Sequence, residues 1–197
     1  MSLRTVRIAS AAVLLTGVAC VVSEIAFQRT KRGTYVSLFY MALFAITWIV
    51  GVVVFIRSVR KWRSWSAILG GLLFITAAVS YVAPVFGVKL RDRDFATHVA
   101  AMETTVAQLR QLPDSVLDTL RFEPVPPALR DVVYRVMTQR PRRGELSVFF
   151  FYGGMMLPPR HAVWLYTADS SATAETVRQG GWRIARPLRA HWFDVQD

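Results

Sequence analysis

The sequence predicts a membrane protein: three transmembrane helices followed by a small α+β domain with a largely antiparallel sheet, held outside the bilayer. Three observations predict it. Residues 36–56 are 21 consecutive residues without a charge, and at about 1.5 Å per residue they cross a hydrocarbon core of roughly 30 Å. Two more apolar segments, 8–27 and 67–88, lie on either side of it. After Leu90 charges of both signs return, and the apolar pattern turns to amphipathic and alternating. The expected division is a membrane domain over residues 1–90 and a soluble domain over residues 91–197.

The first segment has a double reading. Arg4 and Arg7 precede an apolar run, and Gly17-Val18-Ala19 before Cys20 has the small residues of a signal-peptide cleavage site. Lipidation would use Cys20, but the leucine that usually stands three residues earlier is Gly17 here. The chain also stays apolar through Val21, Val22, Ile25, Ala26 and Phe27, so an uncleaved helix is expected, with Cys20 as a small buried hydrophobe. Glu24 is the one acid in the first 90 residues. An ionisable group in a membrane segment is a functional candidate by default; an anchor near the headgroups, reaching Arg29 or Lys31, is the plainer reading.

In the third segment, Ser66, Ala67, Gly70 and Gly71 form overlapping pairs of small residues four apart, the spacing that lets a second helix approach closely. Pro84 and Gly87 lie near its far end, where a broken helix costs least.

Charge sets the orientation and limits the partners. Residues 1–90 carry ten bases against one acid, +9, whereas residues 91–197 carry fourteen arginines against twelve acids, +2. A nucleic-acid binder concentrates charge on its folded domain; here the excess flanks apolar segments, so the bilayer is the expected partner and nucleic acid is not. Arg4 and Arg7 share a side with the basic loop at 57–63, against Arg29, Lys31 and Arg32 on the other. The N-terminus is therefore expected in the cytoplasm and the C-terminal domain outside it, in the periplasm if the cell is bacterial. A single cysteine permits no intrachain disulfide and leaves the redox compartment unread.

In the soluble part, Phe95, Val99, Met102, Val106 and Leu109 form one stripe of an amphipathic helix, with Asp94 as N-cap and Pro113 as its stop. A short helical turn is expected over 114–120, an extended linker over 121–127, and a second helix through Leu129, Val132, Val133, Val136 and Met137 after Pro127. A basic turn follows at 140–144. Strands are expected over 146–152 and 161–167, a helix from Asp169 to Gln179 closed by Gly180-Gly181, and two last strands, 182–185 and 188–195, around Arg186-Pro187.

Chemistry is sparse. No His or Cys pair has metal-ligand spacing, no serine stands in a nucleophile elbow, and no glycine pattern forms a phosphate loop. No cofactor or metal is expected, and the balance is against an enzyme. The most unusual stretch is Phe149, Phe150, Phe151, Tyr152, Gly153, Gly154, Met155, Met156, Leu157, Pro158, Pro159. It stays apolar through what reads as a strand connection, and such connections normally run over the surface. Either its own domain covers it, or a protein partner or the membrane surface does; Phe149 to Tyr152 with Met155, Met156 and Leu157 are the interface candidates.

The function expected is a non-catalytic accessory or scaffold subunit. Its helices would stabilise a larger membrane complex, and its outer domain would make protein–protein contacts. Two rivals are a membrane-anchored sensor or ligand-binding module, and a small enzyme whose site lies where His161 and His191 converge with Asp169 or Asp194.

Overall fold

The computed structural model describes residues 2–30, 34–112, 121–139, 146–154, 161–168 and 181–196. Three long helices come first: α1 (Leu3–Thr30), α2 (Thr34–Ser58) and α3 (Arg63–Arg110). All three are long and apolar enough to cross a membrane. Six strands follow: β1 (Arg121–Glu123), β2 (Arg135–Gln139), β3 (Ser147–Gly154), β4 (His161–Thr167), β5 (Arg183–Arg189) and β6 (Trp192–Gln196). The chain divides into two compact units, one of Met1–Arg29 and Gly33–Arg91, the other of Thr30–Arg32 and Asp92–Asp197.

The first unit is a helical bundle whose apolar core is Val6, Ala9 and Val13 of α1, Val54 of α2, and Leu69 and Leu73 of α3. Glycines set the helix approaches. A Cβ at Gly17 would stand 2.8 Å from the Thr76 methyl, and one at Gly51 would stand 2.9 Å from a Val13 methyl. At Gly87 it would meet Gln28 Cβ at 2.5 Å and the Ile25 carbonyl oxygen at 2.8 Å. Hydroxyls pair across helices, Thr16 with Thr47 and Ser58 with Ser66, each at 2.7 Å. Trp48 Nε1 donates to the Leu73 carbonyl at 3.1 Å. Such bonds between apolar helices satisfy polar groups that the surrounding side chains cannot, typically with modest net gains of about 0.6 kcal/mol each.

The second unit is a single antiparallel sheet in the order β1-β2-β3-β4-β6-β5. One face carries Val136, Val148, Phe150, Tyr152, Ala162, Trp164, Tyr166 and Trp192, packed with the α3 stripe Phe95, Val99, Met102, Val106 and Leu109. Phe95 meets both Trp164 and Trp192 edge-on at 5.6 Å. The other face buries Met137, Phe149, Phe151, Val163, Leu165 and Val195. With both faces covered, β3 and β4 read as nearly continuous apolar runs instead of alternating ones.

Four expectations are corrected. No break or N-cap stands at Asp94: α3 runs unbroken from Arg63 to Arg110 with Pro84 inside it. Pro84 removes one helical hydrogen bond without ending the helix. The second soluble helix is absent; Pro127–Leu129 is a single 3-10 turn, and Val136 and Met137 lie in β2. The linker at 121–127 begins as edge strand β1. The last hairpin turns at Ala190-His191, not at Arg186-Pro187, because Pro187 lies within edge strand β5, where a missing N–H costs little. The expected turn at 114–120, the basic turn at 140–144 and the helix at 169–179 lie outside the described residues.

Candidate functional site

The bundle carries a cleft of about 590 Å³ lined from all three helices, within the usual size range of small-molecule sites. α1 contributes Cys20, Val21 and Glu24. α2 contributes Met41, Phe44, Ala45, Trp48 and Ile49. α3 contributes Ala77, Ser80 and Pro84. Cys20 and Glu24 are four residues apart and so share a helix face; Ser80 and Pro84 do the same on α3.

The polar groups gather toward one end. Glu24 Oε1 accepts from Gln28 Nε2 and Oε2 accepts from Ser37 Oγ, both at 2.8 Å. Both donors are neutral, and among the described residues no cation pairs with this carboxylate. Ser80 Oγ is buried beside the Cys20 thiol and has no nitrogen or oxygen partner. Its backbone carbonyl receives no N–H from the residue four positions on, because that residue is Pro84. Along α2 the wall is wholly apolar from Met41 to Ile49, about 12 Å of helix. The cleft therefore has a polar end rich in acceptors and an apolar channel leading from it.

The residues singled out for helix packing separate into two groups. Ser66 is fully buried and bonded to Ser58, and a Cβ at Gly70 would touch the Phe55 ring at 3.0 Å, so both are used inside the chain. Ala67 is exposed, and a Cβ at Gly71 would meet nothing within 4 Å. They leave an open notch bordered by exposed Ile68, Phe74 and Ile75.

The residues singled out as a partner surface stand differently. Phe149, Phe150, Phe151 and Tyr152 are at most 4% exposed and lie in β3, covered by their own domain. Met155, Met156 and Leu157 lie outside the described residues. His161 opens β4, against Phe151 and Trp182, while His191 sits in the β5–β6 turn against Tyr166. They stand at opposite ends of β4, roughly 17 Å apart along the strand, so the convergence considered for an enzyme does not form between them. Asp169 lies outside the described residues. Among the described residues, no group of three or more His, Cys, Asp or Glu side chains could hold a metal ion.

One buried constellation escaped the sequence reading. Asp194 on β6 is fully buried; Tyr152 Oη donates to its Oδ1 at 2.7 Å, and Arg186 Nε lies 3.5 Å from its Oδ2. Arg186 also makes a two-pronged pair with Asp92, one prong being Nη1 to Oδ2 at 2.9 Å. The hydrogen bond to Asp92 comes first among the causes that raise the Arg186 pKa above an already high value. The guanidinium thus stays charged and ties β5 and β6 to the Asp92 turn of α3. Tyr152 and Asp194 are 42 positions apart and Arg186 and Asp92 are 94 apart, with no spacing to reveal them.

No protein-family model, curated protein or solved structure matches this chain.

Proposed function

We propose that this chain is a non-catalytic accessory or scaffold subunit whose three helices lie in the bilayer and pack against a larger integral membrane protein. In this reading the N-terminus faces the cytoplasm. The sheet domain lies on the far side and makes protein–protein contacts there. The observation that supports it is the contrast among the glycines of the bundle. Gly17, Gly51, Gly70 and Gly87 are each closed by a neighbouring side chain or helix of the same chain, whereas Gly71, with Ala67 beside it, opens outward onto nothing. A glycine in a membrane helix lets another backbone come close, and Gly71 is free to do so for a helix from another chain.

The test is native mass spectrometry of the particle extracted in mild detergent. The expected result is a stoichiometric larger partner, lost on Gly71→Leu and retained on Ala11→Leu, which enlarges an exposed residue of α1. A clean monomer or homo-oligomer from the unaltered chain would overturn the reading.

A further inference from the structure

We infer that the bundle cleft binds an amphiphile carrying a primary ammonium head, with the head at Glu24 and Ser80 and the apolar body along α2. The inference requires the helices to lie in a bilayer but does not require a protein partner.

Charge carries the first step. Among the described residues, Glu24 meets only the neutral donors Gln28 and Ser37. A carboxylate offers about four lone-pair sites, so about half of them remain. An unbalanced charge in an apolar wall is costly, and a cation inside the cleft would remove that cost. Acceptor chemistry carries the second step. The Ser80 hydroxyl is buried without a nitrogen or oxygen partner, and the Ser80 carbonyl has no N–H from Pro84. A primary ammonium brings three donors and no acceptor, which suits a carboxylate, a hydroxyl and a carbonyl together. An alcohol would leave the charge standing, and a trimethylammonium would balance charge but donate no hydrogen bond.

Shape carries the third step. Antiparallel contacts bring Glu24 to Ser37, near the start of α2, and Gly17 to Phe44, further along it. The apolar lining from Met41 through Phe44 and Trp48 to Ile49 therefore leads away from the Glu24 end toward the middle of the bundle. A molecule seated this way has its head near the helix ends and its tail toward the centre, the orientation of a lipid in one leaflet. The ammonium could belong to an aminophospholipid or to another lipophilic amine.

The experiment uses the full chain in phosphatidylcholine nanodiscs, whose recovery by flotation checks the bilayer placement separately. Dodecylamine, dodecanol and dodecyltrimethylammonium are compared by native mass spectrometry and by protection of Cys20, the chain's only cysteine, from a lipid-soluble maleimide. Dodecylamine is expected to bind at least about tenfold more tightly than either other probe, the worth of a charge-assisted hydrogen bond. Glu24→Gln should abolish that preference, and Ser80→Ala should weaken dodecylamine several-fold. Equal binding of all three probes, or an undiminished preference in Glu24→Gln, overturns the inference. Adding phosphatidylethanolamine then separates the sources: competition with dodecylamine identifies the aminophospholipid, and its absence assigns the same site to a different amine.

Discussion

Each unit of this protein carries a hydrogen-bonded acid, Asp194 fully buried and Glu24 partly buried, and the two are treated in opposite ways. Asp194 in the sheet domain is fully buried, accepts from the Tyr152 hydroxyl and faces the Arg186 guanidinium, which Asp92 holds from its other side. Glu24 in the bundle accepts two hydrogen bonds of similar length, but among the described residues only from an amide and a hydroxyl. Hydrogen bonding is therefore equal in kind while charge compensation is not. A domain that needs an acid for its own architecture supplies the counter-charge; a bundle that leaves one uncompensated has a charge still available to something else.

The largest effect expected from this difference is at Arg186. Arg186→Met would strip the guanidinium from a carboxylate with no exposure to water; breaking a fully buried pair from one side costs about 3–5 kcal/mol, and the one-third exposure of Arg186 lowers this to about 2–3 kcal/mol. Urea unfolding of the full chain in mild detergent, followed by near-ultraviolet circular dichroism, should show that loss in the aromatic signal of the Trp164–Trp192 core. A loss below about 1 kcal/mol would mean that the pair is peripheral to the domain.

Asp194→Asn comes next. It keeps an acceptor for Tyr152 and removes the charge facing Arg186, which is itself one-third exposed and retains Asp92. The partly solvated position lowers the cost to about 1–2 kcal/mol, measured in the same way. A cost equal to that of Arg186→Met would show that the two substitutions disrupt a common unit instead of differing in the charge they leave behind.

How much of this could be read from the sequence follows the same division. Long uncharged runs specify membrane-length helices, and all three were legible, although charge at 89–94 was mistaken for an interruption of α3. The α3 stripe was legible because one face of a helix packs and the other does not. Strand β4, His161–Thr167, was legible from its β-branched and aromatic residues. Strand β2 was misread because it is buried across Val136, Met137 and Thr138; a strand covered on both faces does not alternate, and beside Leu129, Val132 and Val133 its apolar residues fall into helical spacing by coincidence. The turn at Ala190-His191 was missed because His191 takes a left-handed φ of 66° without the glycine or asparagine that advertises such a turn. The cleft was legible only in pieces. Cys20, Glu24 and Pro84 each drew attention, but Ser80 did not, and its spacing of four from Pro84 was the available signal that a carbonyl there loses its partner.

The smallest effect expected is also the one that tests the comparison most directly. Glu24→Gln should leave the melting temperature of the chain unchanged or raise it slightly. The substituted amide would still accept from Gln28 through its carbonyl oxygen. Its nitrogen would face Ser37 Oγ, a hydroxyl that accepts as readily as it donates. Both hydrogen bonds survive with one direction reversed, while the uncompensated charge is gone, and replacing such a charge by a neutral isostere is neutral to favourable for stability. Thermal unfolding in detergent, without added amphiphile, measures this. A loss above about 1 kcal/mol would place Glu24 among the groups that hold the bundle together, as Asp194 holds the sheet, and would remove the reason for assigning its charge to a ligand. An unchanged or raised melting temperature, together with loss of ammonium preference in the same variant, would leave binding as the role that keeps an acid at this position.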